Sequence, residues 1–324
     1  MEVKERQGIV VAGTVLVDKI NEITAYPENG QLTQIMNLEQ AAGGLVPNVG
    51  IDLKKICPEL PVQAICKVGA DAEGEYLRAT LADAGLDVSG MVVMENDRTS
   101  FSDVMSVIKG QRTFFVYSGA SADFGYDDID FDQLNAKIFH LGYFLLLQKV
   151  DDGDGLKILE KVQEMGIETS IDLVSENSER YTLVLPCLPY TDYLIINEME
   201  AGKLTGMEAT DSNMEKIACK LKELGVKKKV IIHMPEYAVC LSDEGYTRVP
   251  SYEIPKEYIK GSTGAGDAFC AGTLFGIYQG WTDKEILEFG SASAVMALGS
   301  ADATSGLCSE SEIRTFCKQF KRRQ

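Results

Sequence analysis

The sequence predicts an α/β fold of three layers, in which helices cover both faces of a parallel sheet and a small β lid is inserted. Two observations predict this class. Short apolar runs bounded by Gly, Pro or charged residues alternate with segments of helical spacing, and two stretches interrupt the alternation. The 324 residues suffice for one large α/β domain with an appendage.

The predicted strands of the main sheet are apolar runs without a polar face, as expected of strands buried on both sides. They lie at residues 8–12, 64–68, 138–147, 168–174, 192–196 and 229–233. Segments with helical spacing lie at 48–56, 73–84, 155–165, 213–224, 264–278 and 283–298. Gly85, Gly166 and Gly225 each follow a helical segment, where a residue free to adopt a positive φ ends the helix.

Residues 14–36 and 98–120 break the alternation and are predicted to form the β lid. The first stretch has no helical period, and the second contains two β segments joined by a turn at 109–112. Because β segments that are separated in sequence can pair outside the main sheet, we expect a second, smaller sheet. Residues 1–13, 37–97 and 121–324 are assigned to the core domain.

The charge balance excludes several classes of protein. The 31 Lys and Arg against 49 Asp and Glu give a formal net charge of −18, which disfavours binding to nucleic acids and anionic membranes, since both attract basic patches. No apolar run approaches the about 20 residues needed to span a bilayer, and residues 1–7 are charged where a signal peptide is apolar. We therefore expect a cytoplasmic protein.

Cysteine and histidine usage argues against a zinc knuckle and against a histidine-rich metal centre. The eight cysteines are scattered without a C-x-x-C pair, which predicts buried free thiols rather than a zinc knuckle or a redox dithiol. His140 and His233 both lie within apolar runs, so we expect them to be core or strand residues.

The most informative segment is residues 261–272, G-S-T-G-A-G-D-A-F-C-A-G, at the start of a predicted helix. Gly264 and Gly266, with Ala265 between them, leave backbone amides uncovered where the helix dipole attracts a phosphate or a developing oxyanion. Asp267 follows directly and is expected to take a proton from a hydroxyl that attacks a phosphoryl group. The alternative is a glycine-rich helix start selected for close packing. The segment is neither a Walker loop nor a G-x-G-x-x-G turn.

This segment resembles the C-terminal signature of the ribokinase-like (PfkB) family of carbohydrate kinases, D-T-x-G-A-G-D. Other landmarks follow in the family's order over nearly the whole chain. Residues 13–18 resemble the family's first strand and its substrate-binding aspartate, here Asp18. Gly43 and Gly44, with Asn48, resemble the di-glycine signature at the hinge and the sugar.

Three further segments are similar to family motifs. Residues 69–74 resemble the G-x-D-x-x-G turn, 110–112 the turn of the lid strands, and 197–200 the N-x-x-E motif associated with magnesium and phosphate. Glu200 lies one helical step after Asn197 and is expected to hold the water shell of Mg²⁺, an ion that keeps several waters. The alternative is a glutamate that only stabilises a helix N-terminus.

The resemblance implies a sugar site at Asp18, Gly43, Gly44 and Asn48. A carboxylate at the mouth of an α/β sheet can accept hydrogen bonds from two vicinal hydroxyls, although a turn aspartate and an ordinary Gly-Gly turn are alternatives. Phe101, in the lid, is a candidate to cover the apolar face of a sugar or a nucleoside base, with lid packing as the alternative.

The resemblance further implies an ATP- and Mg²⁺-dependent kinase that transfers the γ-phosphoryl group to a hydroxyl of a small sugar, as ribokinases and fructokinases do. In that mechanism Asp267 is the base, and the amides of Gly264, Ala265 and Gly266 form the anion hole. The residues implied at the nucleotide are Asn197, Thr263, Gly264 and Gly266.

The sequence departs from the family at three places. Gly261 replaces the first aspartate of the signature, which helps the family to hold a monovalent cation, so the sequence does not predict potassium activation. His233-Met234-Pro235 replaces a T-x-G turn, so we expect a different loop around the adenine. Residues 172–175 match the D-x-N-x-R motif only in part and leave Arg180 without a role.

Other functions stay open at this stage. One is a nucleoside kinase of the same family, with Phe101 as the candidate clamp for the base. Another is a non-catalytic sugar- or nucleotide-sensing module, against which the intact Asp267 argues. A phosphosugar kinase would need several cations, and the lid has few. The exposed lid edge is expected to allow a homodimer.

Overall fold

The computed structural model describes residues 6–108, 112–176 and 178–323. Three residues of the predicted lid turn, Lys109, Gly110 and Gln111, lie outside this range. The strands are β1 (Ile9–Gly13), β2 (Leu16–Ile23), β3 (Ile35–Gly43), β4 (Val62–Gly69), β5 (Asp87–Met94), β6 (Phe101–Val107), β7 (Arg112–Tyr117), β8 (Ile138–Phe144), β9 (Glu168–Leu173), β10 (Tyr193–Asn197), β11 (Lys229–His233), β12 (Tyr237–Ser242) and β13 (Gly245–Pro250). The helices are α1 (Leu45–Ile56), α2 (Ala72–Asp83), α3 (Gly119–Ala122), α4 (Gly155–Glu164), α5 (Glu198–Thr205), α6 (Met214–Glu223), α7 (Ala265–Gln279), α8 (Asp283–Ala297) and α9 (Glu310–Cys317).

The main sheet carries the core on both faces. Within the described residues its order is β13-β12-β11-β10-β9-β8-β1-β4-β5, parallel from β11 to β5, with an antiparallel hairpin of β12 and β13 at one edge. Along β1, Ile9 and Val11 enter one apolar cluster and Val10 and Ala12 the other. Helices α1, α2, α7 and α8 cover the first face, and α4, α5 and α6 the second. The predicted three-layer α/β class is confirmed.

A second sheet has the order β3-β2-β6-β7 among the described residues. Strands β2 and β6 pair in parallel, while β3 and β7 are antiparallel edges. Strand β3 extends this sheet to Gly43, beyond the predicted lid boundary at residue 36. Its mixed polar sequence gave no strand signal, and its pairing with β2 determines where it lies. The division into core and lid stays a prediction.

The order of the main sheet locates a ligand cleft. From β1, the strands β4 and β5 lie on one side and β8 to β11 on the other, so the strand order reverses between β1 and β8. In such sheets ligands bind outside the carboxyl ends of the strands at the point of reversal. Gly13 and Gly142, which are paired in register, mark this end of β1 and β8.

None of the helices described in the structure is both long enough and apolar enough to cross a bilayer.

A buried carboxylate fixes helix α8 to the edge of the main sheet. Asp283, in the first turn of α8, accepts hydrogen bonds from Lys229 of β11 and Ser242 of β12. Helix α8 packs along α7, whose N-terminus carries the glycine-rich segment. The ion pair therefore supports the position of that N-terminus through α8.

We predict that Lys229→Met destabilises the fold by about 3–5 kcal/mol, because it leaves the buried Asp283 carboxylate without its cation. Lys161→Met, which removes an exposed partner of Glu164, should cost about 1 kcal/mol or less. Urea unfolding of the two variants measures the difference. Equal losses of stability would show that Asp283 does not depend on Lys229.

Candidate active site

The glycine-rich turn leads directly into α7. Gly264 has a φ of 78°, and a Cβ there would lie 2.5 Å from Ala303 Cα, so both backbone conformation and space require glycine. The Ala265 amide, predicted as an anion donor, instead donates to the Ser262 carbonyl at 3.2 Å. The amides of Gly266 and Asp267 belong to the first helical turn, where no preceding carbonyl is available within the helix.

Gly266 leaves space in front of these amides. Among the described residues, a Cβ at this position would come within 4 Å only of the His233 ring, whose Cε1 would lie 3.7 Å away. Thr263, the other nucleotide candidate of this turn, is exposed. The turn is therefore open to a ligand on the side that faces His233.

Asp267 lies at the bottom of this opening, and the residue is only 7 % exposed. Its carboxylate accepts hydrogen bonds from Asn48 Nδ2 at 2.9 Å and from Tyr143 OH at 2.9 and 3.0 Å. Burial, together with the negative charge of Asp172, raises the pKa of Asp267 to about 7, against the effect of the two hydrogen bonds. A carboxylate with a pKa near neutrality suits a general base.

Tyr143 is a site residue that the sequence analysis missed. It lies near the carboxyl end of β8 with a φ of 59°, and its backbone N–H donates to Asp172 Oδ1 at 2.7 Å. The predicted strand ran through to residue 147 and concealed this change of direction. The signal that would have found Tyr143 is its place after Gly142, at the carboxyl end of a buried parallel strand.

Asn197 and Glu200 form a capping box at the start of α5. The Asn197 side chain accepts from the Glu200 amide, and Glu200 accepts from the Asn197 amide at 3.0 Å and from Ser175 Oγ at 2.8 Å. Asn197 Nδ2 donates to Ser175 Oγ at 2.7 Å. Burial raises the pKa of Glu200 to about 7. The helix-capping alternative is thus realised, and Glu200 also lines the cavity at Asp267.

The four sugar candidates divide into two pairs. Asp18 lies on β2 beside Gly43, where a Cβ would overlap its Oδ2 atom, and burial raises the pKa of Asp18 to about 6. Gly44, with a φ of 87°, precedes α1, and a Cβ there would lie 2.8 Å from the Thr14 carbonyl oxygen. Asn48 lies in the first turns of α1 and reaches Asp267. The di-glycine segment thus joins the small sheet to the candidate base.

Phe101 makes its aromatic contacts within the small sheet. Its ring centre lies 5.4 Å from that of Tyr117 on β7, and Lys19 Nζ of β2 lies 4.4 Å from the ring centre. These contacts match the lid-packing alternative, and a contact with substrate stays a prediction.

Two adjoining cavities open beside Asp267. A polar one of about 200 Å³ is lined by Asp267, Glu200 and Asp172, and a larger, mainly apolar one of about 640 Å³ lies beside it. Residues that line both cavities are Ser175, Asn197, His233 and Gly266. The polar chamber therefore connects the candidate base with an apolar chamber.

The segment that departs from the family pattern lies in the wall of the larger cavity. His233, Met234 and Pro235 line it together with Phe269, whose ring centre lies 4.7 Å from that of His233. Burial lowers the pKa of His233 to about 4, so the ring is neutral at pH 7. The departure therefore changes the cavity wall and adds no charge.

This arrangement defines a class of enzyme. A near-neutral base beside the first amides of a helix, at the carboxyl end of a parallel sheet, is suited to phosphoryl transfer onto a hydroxyl group. The pfkB family carbohydrate kinase model matches residues 8–310, and the chain belongs to this family. Its members are phosphotransferases that act on sugar hydroxyls, so the predicted family and enzyme class are confirmed.

Relatives agree with this family. A ribokinase of Arabidopsis thaliana is 25 % identical over 293 residues, which cover 90 % of this chain and 76 % of the relative. A 5-dehydro-2-deoxygluconokinase of Clostridium perfringens is 25 % identical over 329 residues, with 98 % and 95 % coverage.

Solved structures share the fold. Arabidopsis thaliana ribokinase complexed with ribose and ATP matches with a TM-score of 0.83 and 22 % identity, covering 97 % of this chain and 99 % of that one. An E. coli protein assigned as a ribokinase II, in complex with ATP and Mg²⁺, matches with a TM-score of 0.81 and 20 % identity, again with 97 % and 99 % coverage.

We predict that Tyr143→Phe shifts the pH dependence of phosphoryl transfer to higher pH. The hydroxyl of Tyr143 stabilises the charged Asp267 carboxylate, so its removal raises the pKa of Asp267 and lowers the rate about tenfold at acidic pH. The rate should recover at alkaline pH. A pH–rate profile measures the shift.

Tyr190→Phe is the matched control, because its hydroxyl contacts Glu160 at the surface. Its profile should follow that of the unaltered protein. An unchanged profile for Tyr143→Phe would mean that Tyr143 does not tune Asp267.

Proposed function

We propose that the protein is an ATP- and Mg²⁺-dependent kinase of a small sugar, similar in substrate class to ribokinases and fructokinases. The observation that carries this proposal is the position of Asp267. Its carboxylate is held by Asn48 of the di-glycine segment and lies beside the opening in front of Gly266. It therefore stands between the candidate sugar residues and the candidate phosphate turn.

In this proposal ATP binds in the two cavities. Its adenine lies in the apolar chamber of about 640 Å³ against His233 and Phe269, and its phosphates extend past Asn197 and Thr263 to the N-terminus of α7. The Gly264–Gly266 turn stabilises the developing negative charge through its amides, with Gly266 and Asp267 as the donors of the first turn. The two fold relatives are complexes with ATP, which supports ATP as the nucleotide.

The sugar lies on the other side of Asp267, between α1 and the small sheet. Asp18 accepts hydrogen bonds from sugar hydroxyls, and Gly43 and Gly44 allow the sugar to approach the backbone closely. Asn48 orients both the sugar and the Asp267 carboxylate. Phe101 covers the sugar from the small sheet. Closure of that sheet excludes water, which otherwise competes as the phosphoryl acceptor.

In the chemical step Asp267 accepts the proton of the sugar hydroxyl. The hydroxyl oxygen forms a bond to the γ-phosphorus while the bond from that phosphorus to the bridging oxygen breaks, and the electron pair leaves with ADP. The products are a sugar phosphate and ADP. No monovalent cation is included, because Gly261 supplies no carboxylate.

Glu200 and Asn197 fit a role beside Mg²⁺. Each oxygen of Glu200 already accepts one hydrogen bond, and each keeps a second lone pair for a water of the ion's shell. When bound, Mg²⁺ supplies positive charge that balances the triphosphate. The capping box holds the Glu200 carboxylate in place for this contact.

A coupled ADP-release assay over pentoses, hexoses, ketodeoxy acids and nucleosides tests the proposal. Turnover on a sugar supports it, while turnover confined to nucleosides would establish the nucleoside kinase. Ligand-dependent shifts in melting temperature without any turnover would establish a sensing module instead.

We predict that Asp267→Asn lowers the turnover number about 10²–10⁴-fold, because an amide cannot accept the hydroxyl proton. Its stability serves as the control. The raised pKa of Asp267 means that the charged form costs stability above pH 7, so at pH 8 the variant should melt no lower than the unaltered protein. Near-normal turnover of the folded variant would overturn the mechanism.

The proposal includes a homodimer through the small sheet. Its edge strand β7 exposes the apolar side chains of Phe114, Phe115 and Val116, which are 54, 54 and 53 % exposed. Strand β3, at the other edge, exposes Leu38. Exposed apolar edge strands favour pairing with a second chain.

We predict that light scattering gives twice the mass of one chain, and that Phe114→Glu with Phe115→Glu gives a monomer, because charges on the edge oppose pairing. Leu183→Glu, at another exposed apolar site, should remain dimeric. A monomeric unaltered protein would contradict this part of the proposal.

A further inference from the structure

Three metal-ligating side chains meet beneath the candidate active site. His140 of β8, Asp172 of β9 and Cys270 of α7 each place one ligand atom within 4.8 Å of the others, and all three are buried. The sequence analysis predicted neither a zinc knuckle nor a histidine-rich metal centre, because the cysteines form no C-x-x-C pair and the two histidines lie in apolar runs. It expected buried free thiols, and Cys270 is one, whereas Cys219 is exposed.

Two of the three distances between ligand atoms in this cluster match a tetrahedral metal site. His140 Nε2 lies 3.5 Å from Cys270 Sγ and 3.6 Å from Asp172 Oδ2. Bonds of about 2.3 Å from zinc to sulfur and about 2.0 Å to nitrogen or oxygen, at tetrahedral angles, separate ligand atoms by about 3.5 Å. The distances from His140 Nε2 to Cys270 Sγ and to Asp172 Oδ2 are therefore already those of a tetrahedral site.

Neighbouring groups orient the ligand atoms toward one point. His140 Nδ1 lies 2.9 Å from Ser170 Oγ, which leaves Nε2 for the cluster. Asp172 Oδ1 accepts the Tyr143 amide at 2.7 Å, which leaves Oδ2. Metal-binding histidines and carboxylates characteristically have such partners on their second atoms.

The cluster is also accessible from the cavity. Asp172 and Cys270 line the polar chamber of about 200 Å³ together with Asp267. His140 lies behind these two residues and is fully buried, so an ion bound by all three would reach the cluster from the side of the chamber and keep its open position there. Three protein ligands with one open position are the pattern of zinc sites that bind water or a substrate.

We propose that His140, Asp172 and Cys270 bind one Zn²⁺ or a similar soft divalent ion at the floor of the active-site cavity, with the fourth position open. The Cys270 thiol releases its proton when the bond from sulfur to metal forms. The bound ion also offsets the negative charge of Asp172, one of the charges that act on Asp267.

The test uses the full chain, freed of metal by a chelator, with Zn²⁺ alone and then Co²⁺ alone as probes. Equilibrium dialysis with elemental analysis should give one Zn²⁺ per chain. Co²⁺ should produce a thiolate-to-metal charge-transfer band and the intense visible bands of tetrahedral coordination. Neither readout depends on kinase activity, so failure here leaves the proposed function untouched.

Cys270→Ser should weaken Zn²⁺ binding at least tenfold and abolish the thiolate band, and His140→Asn should weaken binding similarly. Cys317→Ser, at another buried cysteine, should retain one Zn²⁺ and the full spectrum. Absence of stoichiometric Zn²⁺ in the unaltered protein overturns the proposal. So does a Co²⁺ spectrum without the thiolate band, which is recorded on the unaltered chain and needs no variant to fold.

Discussion

The site depends on how one buried carboxylate is held. Asp267 lies in the first turn of α7 and accepts hydrogen bonds from Asn48 on α1 and from Tyr143 near the carboxyl end of β8. Without these donors a buried carboxylate would be costly. The same two bonds join three elements: α1, which follows the small sheet, β8 at the point where the strand order reverses, and the glycine-rich turn at the start of α7. The two hydrogen bonds therefore both position the Asp267 carboxylate and lower its pKa against the effect of burial.

The carboxyl groups around Asp267 determine which ligands the polar chamber favours. Asp172 and Glu200 share the polar chamber with Asp267, and burial raises the pKa of both Glu200 and Asp267 to about 7. A chamber so rich in carboxyl groups favours cations and resists a bare triphosphate. In the proposed reaction the nucleotide therefore enters together with positive charge.

Much of the fold was predictable because buried parallel strands and helix-ending glycines are local signals. The glycine-rich turn and Asp267 were found for the same reason. The Asn48–Asp267 bond spans 219 residues and has no local signal. Tyr143, with its left-handed backbone, was missed because the predicted strand ran on to residue 147, although its place after Gly142 was a usable signal. The Ala265 amide was predicted to bind an anion, but it donates a hydrogen bond to the Ser262 carbonyl, a turn contact that the sequence does not reveal. Strand β3 was missed because pairing, and not composition, defines it.

The parallel pairing of β2 with β6 bears on how the chain folds. Asp18 lies opposite Ser102, and α1, β4, α2 and β5 all intervene between the two strands. Closing so long a loop carries an entropy cost that local contacts cannot offset early. We therefore expect the small sheet to assemble late, after the main sheet has formed and has brought β2 close to β6. Newly made chains then complete the small sheet, which carries Asp18, as their final step of maturation.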